Sequence, residues 1–295
     1  MGKHYKFTVN YDKAVKIAEI LQKLDRNTLE NYCFELEKLR GEGIGDREIA
    51  LYYTYVASVD YQTDARRLWE STCKEFLHDK KWFTPEFILR VPDEDLSKFL
   101  KKIGVRYYRK DVKTWKDISK ILIDKYSGDP RKIVPKGLSV REIRERLEEF
   151  PNLRGCKISD FYIRIMHEAG FFEVEHSEEL SIPVDIQVTR FTLYTGVLKL
   201  ECGEFTCRKS EICKSELGEE IRKVWRDAAK SINVEPWKLD EPIWRMGSEY
   251  CSKRKILNTS DCDQKDRCPI STYCEKTTGF LFTADKIKWK STKPC

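Results

Sequence analysis

No apolar run in the 295-residue sequence approaches the roughly 18 residues that a membrane-spanning helix needs, which excludes a helical membrane span. The opening, MGKHYKFTVNYDKAV, has no apolar core of the kind a signal peptide carries, and Lys6 stands where a myristoylation signal has Ser or Thr. The expectation is a cytoplasmic chain, nucleoid-associated in a prokaryote. Internal repeats, low-complexity tracts and strong period-two alternation are missing, and the fold class expected is therefore all-α. Paired C-x2-4-C knuckles are missing too, which weighs against zinc for the cysteines.

What is present is charge of both signs. Lys and Arg number 55 against 49 Asp and Glu, a net of +6, which permits a polyanionic partner without demanding one. Hydrophobic residues make up 40%, enough for a globular core, and the length fits one large domain or two lobes. Eleven cysteines in an intracellular chain point away from a disulfide framework and towards metal or an iron-sulfur cluster.

Along the chain, apolar residues at steps of three and four predict helix over Tyr11 to Arg40, ending at Gly41, Gly43 and Gly45. Glu48 to Ser58, nearly all apolar and aromatic, predicts a buried helix; Asp60 to Asp64 reads as a turn and Ala65 to Leu77 as helix. Further helices are predicted over Thr84 to Ile103, broken near Val91 and Pro92, and over Lys110 to Tyr126. Ser139 with Glu142 is a capping box that opens a helix ending near Phe150. Ile158 to Ala169, Gly218 to Ile232 and Glu241 to Tyr250 complete the set.

Cys251, Cys262, Cys268 and Cys274 are spaced C-x10-C-x5-C-x5-C in a segment too polar to use cysteine as core filler. Four thiolates within a short loop can surround one metal centre, the metal offsetting the cost of ordering the loop. A [4Fe-4S] cluster tolerates these spacings better than zinc does. Cys202, Cys207 and Cys213 form a second group without an obvious fourth ligand, and Cys33, Cys73 and Cys156 read as buried thiols.

The run from Trp244 to Cys251 (WRMGSEYC), followed by Cys268 to Cys274 (CPISTYC), resembles the end of the endonuclease III family of helix-hairpin-helix DNA glycosylases. The central stretch extends the resemblance. Phe150 to Lys157 (FPNLRGCK) is similar to the family's hairpin turn and lysine, although Asn152 replaces its first glycine and Arg154 reads as an insertion. Val184 to Arg190 (VDIQVTR) is similar to its Val-Asp-x-x-Val-x-Arg. A separation of 28 residues between Lys157 and Asp185, with Ile-Pro-Val-Asp leading in, is more weakly similar to the archaeal 8-oxoguanine glycosylase branch.

This resemblance implies two helical lobes with DNA between them, one spanning residues 47–138 and the other residues 1–46 with 139–295, the hairpin falling at about 143–170. It implies a nucleophile at Lys157, whose place at a helix N-terminus disfavours a second positive charge, and a carboxylate partner at Asp185. It implies a [4Fe-4S] cluster on Cys251, Cys262, Cys268 and Cys274. The partner implied is double-stranded DNA holding a damaged base or an abasic site, bound by a monomer. Gap-filling residues would come from Gln62, Val105 and Tyr107, and phosphate contacts from Arg106, Asn152, Arg154 and Gly155. Taken without that context, Lys157 is one surface lysine among many, residues 150–157 are an ordinary helix-helix turn, and Asp185 is a helix cap. A catalytically inactive DNA-binding protein on the same fold is the alternative.

Overall fold

The structure, a computed structural model, describes residues 5–24, 36–253, 262, 264–275, 279–291, 293 and 295. In chain order the elements are β1 (Tyr5–Val9), α1 (Tyr11–Lys23), α2 (Leu36–Gly41), α3 (Asp46–Val59), α4 (Ala65–His78), α5 (Pro85–Arg90), α6 (Asp93–Lys102) and α7 (Tyr108–Tyr126). They continue with β2 (Leu138–Ser139), α8 (Val140–Leu147), α9 (Ile158–Glu168), β3 (Val174–Glu175), α10 (Ile186–Tyr194), β4 (Leu198–Arg208), α11 (Glu216–Ser231), α12 (Asp240–Arg245), β5 (Phe280–Phe282) and β6 (Lys286–Lys290). The chain is mostly helical, as its periodicity predicts. The helix expected over Tyr11 to Arg40 is α1 and α2, and residues 25–35 lie outside the described residues. Among the described residues no helix is long and apolar enough to cross a membrane.

Contacts divide the chain into two compact units, residues 30–177 and residues 1–29 with 178–295. These boundaries take the hairpin with the residues of the expected 47–138 lobe. The first unit is built on α3, every residue of which from Ile49 to Val59 is buried. Two hydroxyl pairs join it to its neighbours: Thr54 Oγ1 lies 2.8 Å from Tyr162 Oη of α9, and Tyr55 Oη lies 2.7 Å from Ser119 Oγ of α7. Tyr52 stacks on Phe76 at 4.8 Å, so the aromatic rings fill the core while their hydroxyls stay satisfied. Ser139 and Glu142 close the capping box at the start of α8, as their spacing predicts.

The second unit packs α1 against α11 and α10 against α12, and the Trp225 indole of α11 donates to Thr192 Oγ1 of α10 at 2.9 Å inside the core. Beside these helices stands a four-stranded sheet in the order β1-β4-β6-β5, its ladders antiparallel. The sequence reading did not predict it. Strand β4 alternates only in two halves, Leu198 and Leu200 buried, then Phe205 and Cys207 buried, because the phase slips around Gly203 (φ 79°). The cysteine reading is corrected as well. Cys202 forms a disulfide with Cys295, closing a separation of 93 residues, while Cys207 is a buried free thiol on β4.

Candidate active site

In the unit of residues 30–177, α8 and α9 are joined by the hairpin turn of residues 148–157. Phe150 and Leu153 are fully buried and pin the turn to the core, and Asn152 adopts φ 63°, the left-handed backbone that asparagine tolerates. Gly155 has φ 102°, and a Cβ added there would meet open space. Its carbonyl accepts from Ser159 N at 3.0 Å and from Ser159 Oγ at 2.8 Å, which starts α9. Lys157 is the half-buried residue at the cap position of α9, its carbonyl accepting from Phe161 N at 3.1 Å. Arg144 of α8 reaches the buried Asp160 of α9 through Nε at 2.7 Å, fixing the angle between the hairpin helices. Arg154 is exposed beside them.

The two loops expected to meet DNA come together in this unit. Arg106 Nη1 donates to the Gln62 carbonyl at 2.8 Å, and Tyr107 Oη donates to Gln62 Oε1 at 2.7 Å. Tyr107 stacks on Tyr61 with ring centroids 5.5 Å apart, and the Arg106 guanidinium lies over the Tyr107 ring at 5.4 Å. Gln62, Arg106 and Tyr107 are all exposed. Val105 is not: it is 4% exposed. Gly104 (φ 92°) donates to the Lys101 carbonyl and Val105 to the Leu100 carbonyl, which is a Schellman cap on α6, and Val105 supplies the apolar contact that such a cap buries. It is a core residue in this structure and not a wedge.

A residue the sequence reading passed over links these loops to the hairpin. Asp111 of α7 is fully buried; its Oδ1 accepts from Tyr61 Oη at 2.8 Å, Thr114 Oγ1 at 3.3 Å and Asn152 Nδ2 at 3.4 Å. Burial pushes its carboxyl above the usual carboxylate range, although the hydroxyl of Tyr61 and the charge of Lys110 act against that. The signal was present in the sequence, since Asp111, Trp115, Ile118 and Leu122 form one helical stripe, and an acid heads it.

Asp185 belongs to the other unit. It caps α10, Oδ1 accepting from Gln187 N at 2.8 Å and Val188 N at 3.0 Å, while Oδ2 accepts from the Trp244 indole at 3.0 Å. Cap and indole together fix both carboxylate oxygens and leave the group half-buried. Gly247, in the π-helical turn that directly follows α12, lies so close to α10 that a Cβ there would stand 2.2 Å from the Gln187 carbonyl oxygen. The glycine of the WRMGSEYC run thus seats Trp244 against the Asp185 end of α10. Arg190 donates to Gln187 Oε1 at 3.0 Å and lies over the Phe282 ring at 5.4 Å.

Of the expected cluster ligands, Cys251 and Cys268 are buried, Cys262 and Cys274 are half-buried, and none is in a disulfide. The Cys268 thiol is pushed up to about 12, first by burial and then by the nearby thiolate charges of Cys274 and Cys262. The donor chemistry suits an iron-sulfur cluster. Among the described residues, however, no three ligating side chains are arranged to hold a metal ion, and residues 254–261 and 263 of this loop lie outside them.

Residues 156–276 match the family model described as AGOG: N-glycosylase/DNA lyase. No curated protein matches the chain. Among solved structures, an endonuclease III trapped in a covalent intermediate with DNA is similar at 17% identity and TM-score 0.53, over 91% of this chain and 97% of that one. A thermostable thymine-DNA glycosylase is similar at 15% and 0.53, over 90% and 97%. The 8-oxoguanine glycosylase Pa-AGOG of Pyrobaculum aerophilum, solved with 8-oxoguanosine, is similar at 18% and 0.50, over 80% and 87%. The chain therefore has the fold of the helix-hairpin-helix DNA glycosylase (HhH-GPD) superfamily, with AGOG similarity over residues 156–276.

Proposed function

We propose that the chain is a bifunctional DNA glycosylase and AP lyase, with Lys157 as nucleophile and Asp185 as its carboxylate partner, acting as a monomer on damaged double-stranded DNA. The observation that carries this reading is the setting of Asp185. A carboxylate with one oxygen on two backbone N–H groups and the other on an indole is held in place for a role at one point in space. Both Lys157 and Asp185 also open helices inside the stretch that matches the AGOG model.

In the proposed reaction the neutral Lys157 amine attacks C1′ of the damaged nucleotide. The glycosidic bond breaks, its electron pair leaves with the base, and the base takes up the proton lost by the amine, with the Asp185 carboxylate as relay. Asp185 also stabilises the positive charge that develops on the sugar. Opening of the sugar ring gives a Schiff base on Lys157; loss of a C2′ proton then expels the 3′ phosphate by β-elimination. Gln62 and Tyr107 would fill the gap left by the flipped nucleotide, and Arg106, Asn152, Arg154 and Gly155 would hold phosphates. An oxidised base is the substrate class proposed, with 8-oxoguanine first because the names of Pa-AGOG and its like carry it. Incubation of the wild-type protein with a panel of lesion duplexes under borohydride is expected to give a covalent adduct with an oxidised purine or pyrimidine. Base release without any adduct would make the enzyme monofunctional.

Cys251, Cys262, Cys268 and Cys274 are proposed as the ligands of a [4Fe-4S] cluster, which would order their loop and take no part in bond cleavage. Protein purified without oxygen is then expected to be brown, with visible absorption that dithionite bleaches. Colourless protein in which these thiols all react with an alkylating agent would contradict it.

A further inference from the structure

We propose that Asp111 is a positioning residue for DNA, its buried carboxylate tying the 61–64 turn, the 104–107 loop and the Asn152 hairpin into one preorganised contact surface. The inference rests on the reading above, in which Gln62, Tyr107 and Asn152 touch DNA.

Asp111 is fully buried, yet among the described residues no lysine or arginine pairs with it. Its partners are neutral donors from three places in the fold: Tyr61 Oη, at 2.8 Å from Oδ1 and 3.0 Å from Oδ2; Thr114 Oγ1 on its own helix; and Asn152 Nδ2 of the hairpin. Asn152 Nδ2 also lies 3.5 Å from Thr114 Oγ1. A leucine at 111 would continue the apolar stripe of α7, and replacing a buried charge by a well-packed apolar residue is often neutral or stabilising. The acid is therefore poorly explained by stability.

Its connections explain it better. Tyr61, fixed by Asp111, is the platform on which Tyr107 stacks, and Tyr107 in turn holds the Gln62 side chain while Arg106 holds the Gln62 carbonyl. Thr63 Oγ1 reaches the Gly104 carbonyl at 3.5 Å, a second tie between the two loops. Gln62 (φ 51°) and Asn152 (φ 63°) both sit in left-handed backbone, which non-glycine residues adopt only where their surroundings hold them there. Both are joined to the same carboxylate, Asn152 directly and Gln62 through Tyr107 and Tyr61. The exposed groups of three loops thus share one buried anchor, and surfaces ordered before binding lose less freedom on binding.

The test uses the full chain and a short duplex holding a tetrahydrofuran abasic-site analogue, with the undamaged duplex beside it. Asp111→Asn is expected to weaken binding of the analogue duplex by about tenfold while the thermal midpoint is maintained or raised. Single-turnover cleavage of a natural abasic duplex at saturating protein is expected to stay near the wild-type rate, since the chemistry is untouched. Tyr61→Phe, which removes the hydroxyl that the carboxylate accepts from, should weaken binding alike, and the double variant should be no weaker than Asp111→Asn alone. If Asp111→Asn does not fold, Tyr61→Phe carries the same expectation. Wild-type affinity in the variants, or additive losses in the double variant, would overturn the proposal. A wild-type protein that binds neither duplex would instead overturn the functional reading beneath it.

Discussion

Lys157→Ala is expected to abolish borohydride trapping and to lower single-turnover base release at least about a thousandfold, because no other group would supply the attacking nitrogen. The substitution isolates chemistry from fold. Lys157 stands at the cap position of α9, where its side chain makes no capping hydrogen bond, and the turn is set by Ser159 on the Gly155 carbonyl and by Phe150 and Leu153 in the core. Alanine leaves all of these in place. Affinity for the abasic-analogue duplex should accordingly remain within a few-fold of wild type. An adduct that persists in Lys157→Ala at the wild-type level would remove the lysine from the mechanism and send the search to other amines.

The elements that could be read from the sequence are those whose ends are written locally. The capping box of Ser139 and Glu142, Asp64 ahead of α4 and the glycines after α2 are each sufficient to place a helix end without tertiary help. The sheet was not readable in this way. Strand β4 changes phase at Gly203, and its partners β1 and β6 lie far from it at opposite ends of the chain, so no local alternation announces those two ladders; only the short β5–β6 hairpin is local. The Cys202–Cys295 disulfide escaped for the same reason, since only the folded sheet brings those positions together.

The misassigned wedge has a different cause. Val105 follows Gly104 as the third residue past α6, and an apolar residue there closes a Schellman cap; Phe171 does the same after Gly170 at the end of α9, Gly170 donating to the His167 carbonyl and Phe171 to the Met166 carbonyl. The cap chemistry alone places Val105 inside. Asp111, Trp244 and Gly247 went unassigned because their significance lies in pairings across the fold: an acid with a distant tyrosine and asparagine, an indole with the Asp185 carboxylate, a glycine with a helix backbone.

Asp185→Asn should separate what the carboxylate does by charge from what it does as a cap. Asparagine caps a helix as well as aspartate, so its side-chain oxygen can keep the bonds from Gln187 N and Val188 N and α10 should start where it does. The amide cannot also accept from the Trp244 indole, and a partly buried N–H left without its acceptor costs about 1–3 kcal/mol, a modest fall in the melting temperature. The negative charge that faces the developing sugar cation in the proposed reaction is lost entirely. Base release is therefore expected to fall by about 10² to 10⁴-fold while the abasic-analogue duplex still binds. Trp244→Phe supplies the comparison: it removes the same hydrogen bond but keeps the charge, so it should reproduce the stability change and only a small part of the rate change. Equal rate losses in the two variants would mean that Asp185 matters for placement alone, and a wild-type rate in Asp185→Asn would remove it from the chemistry and leave it a helix cap.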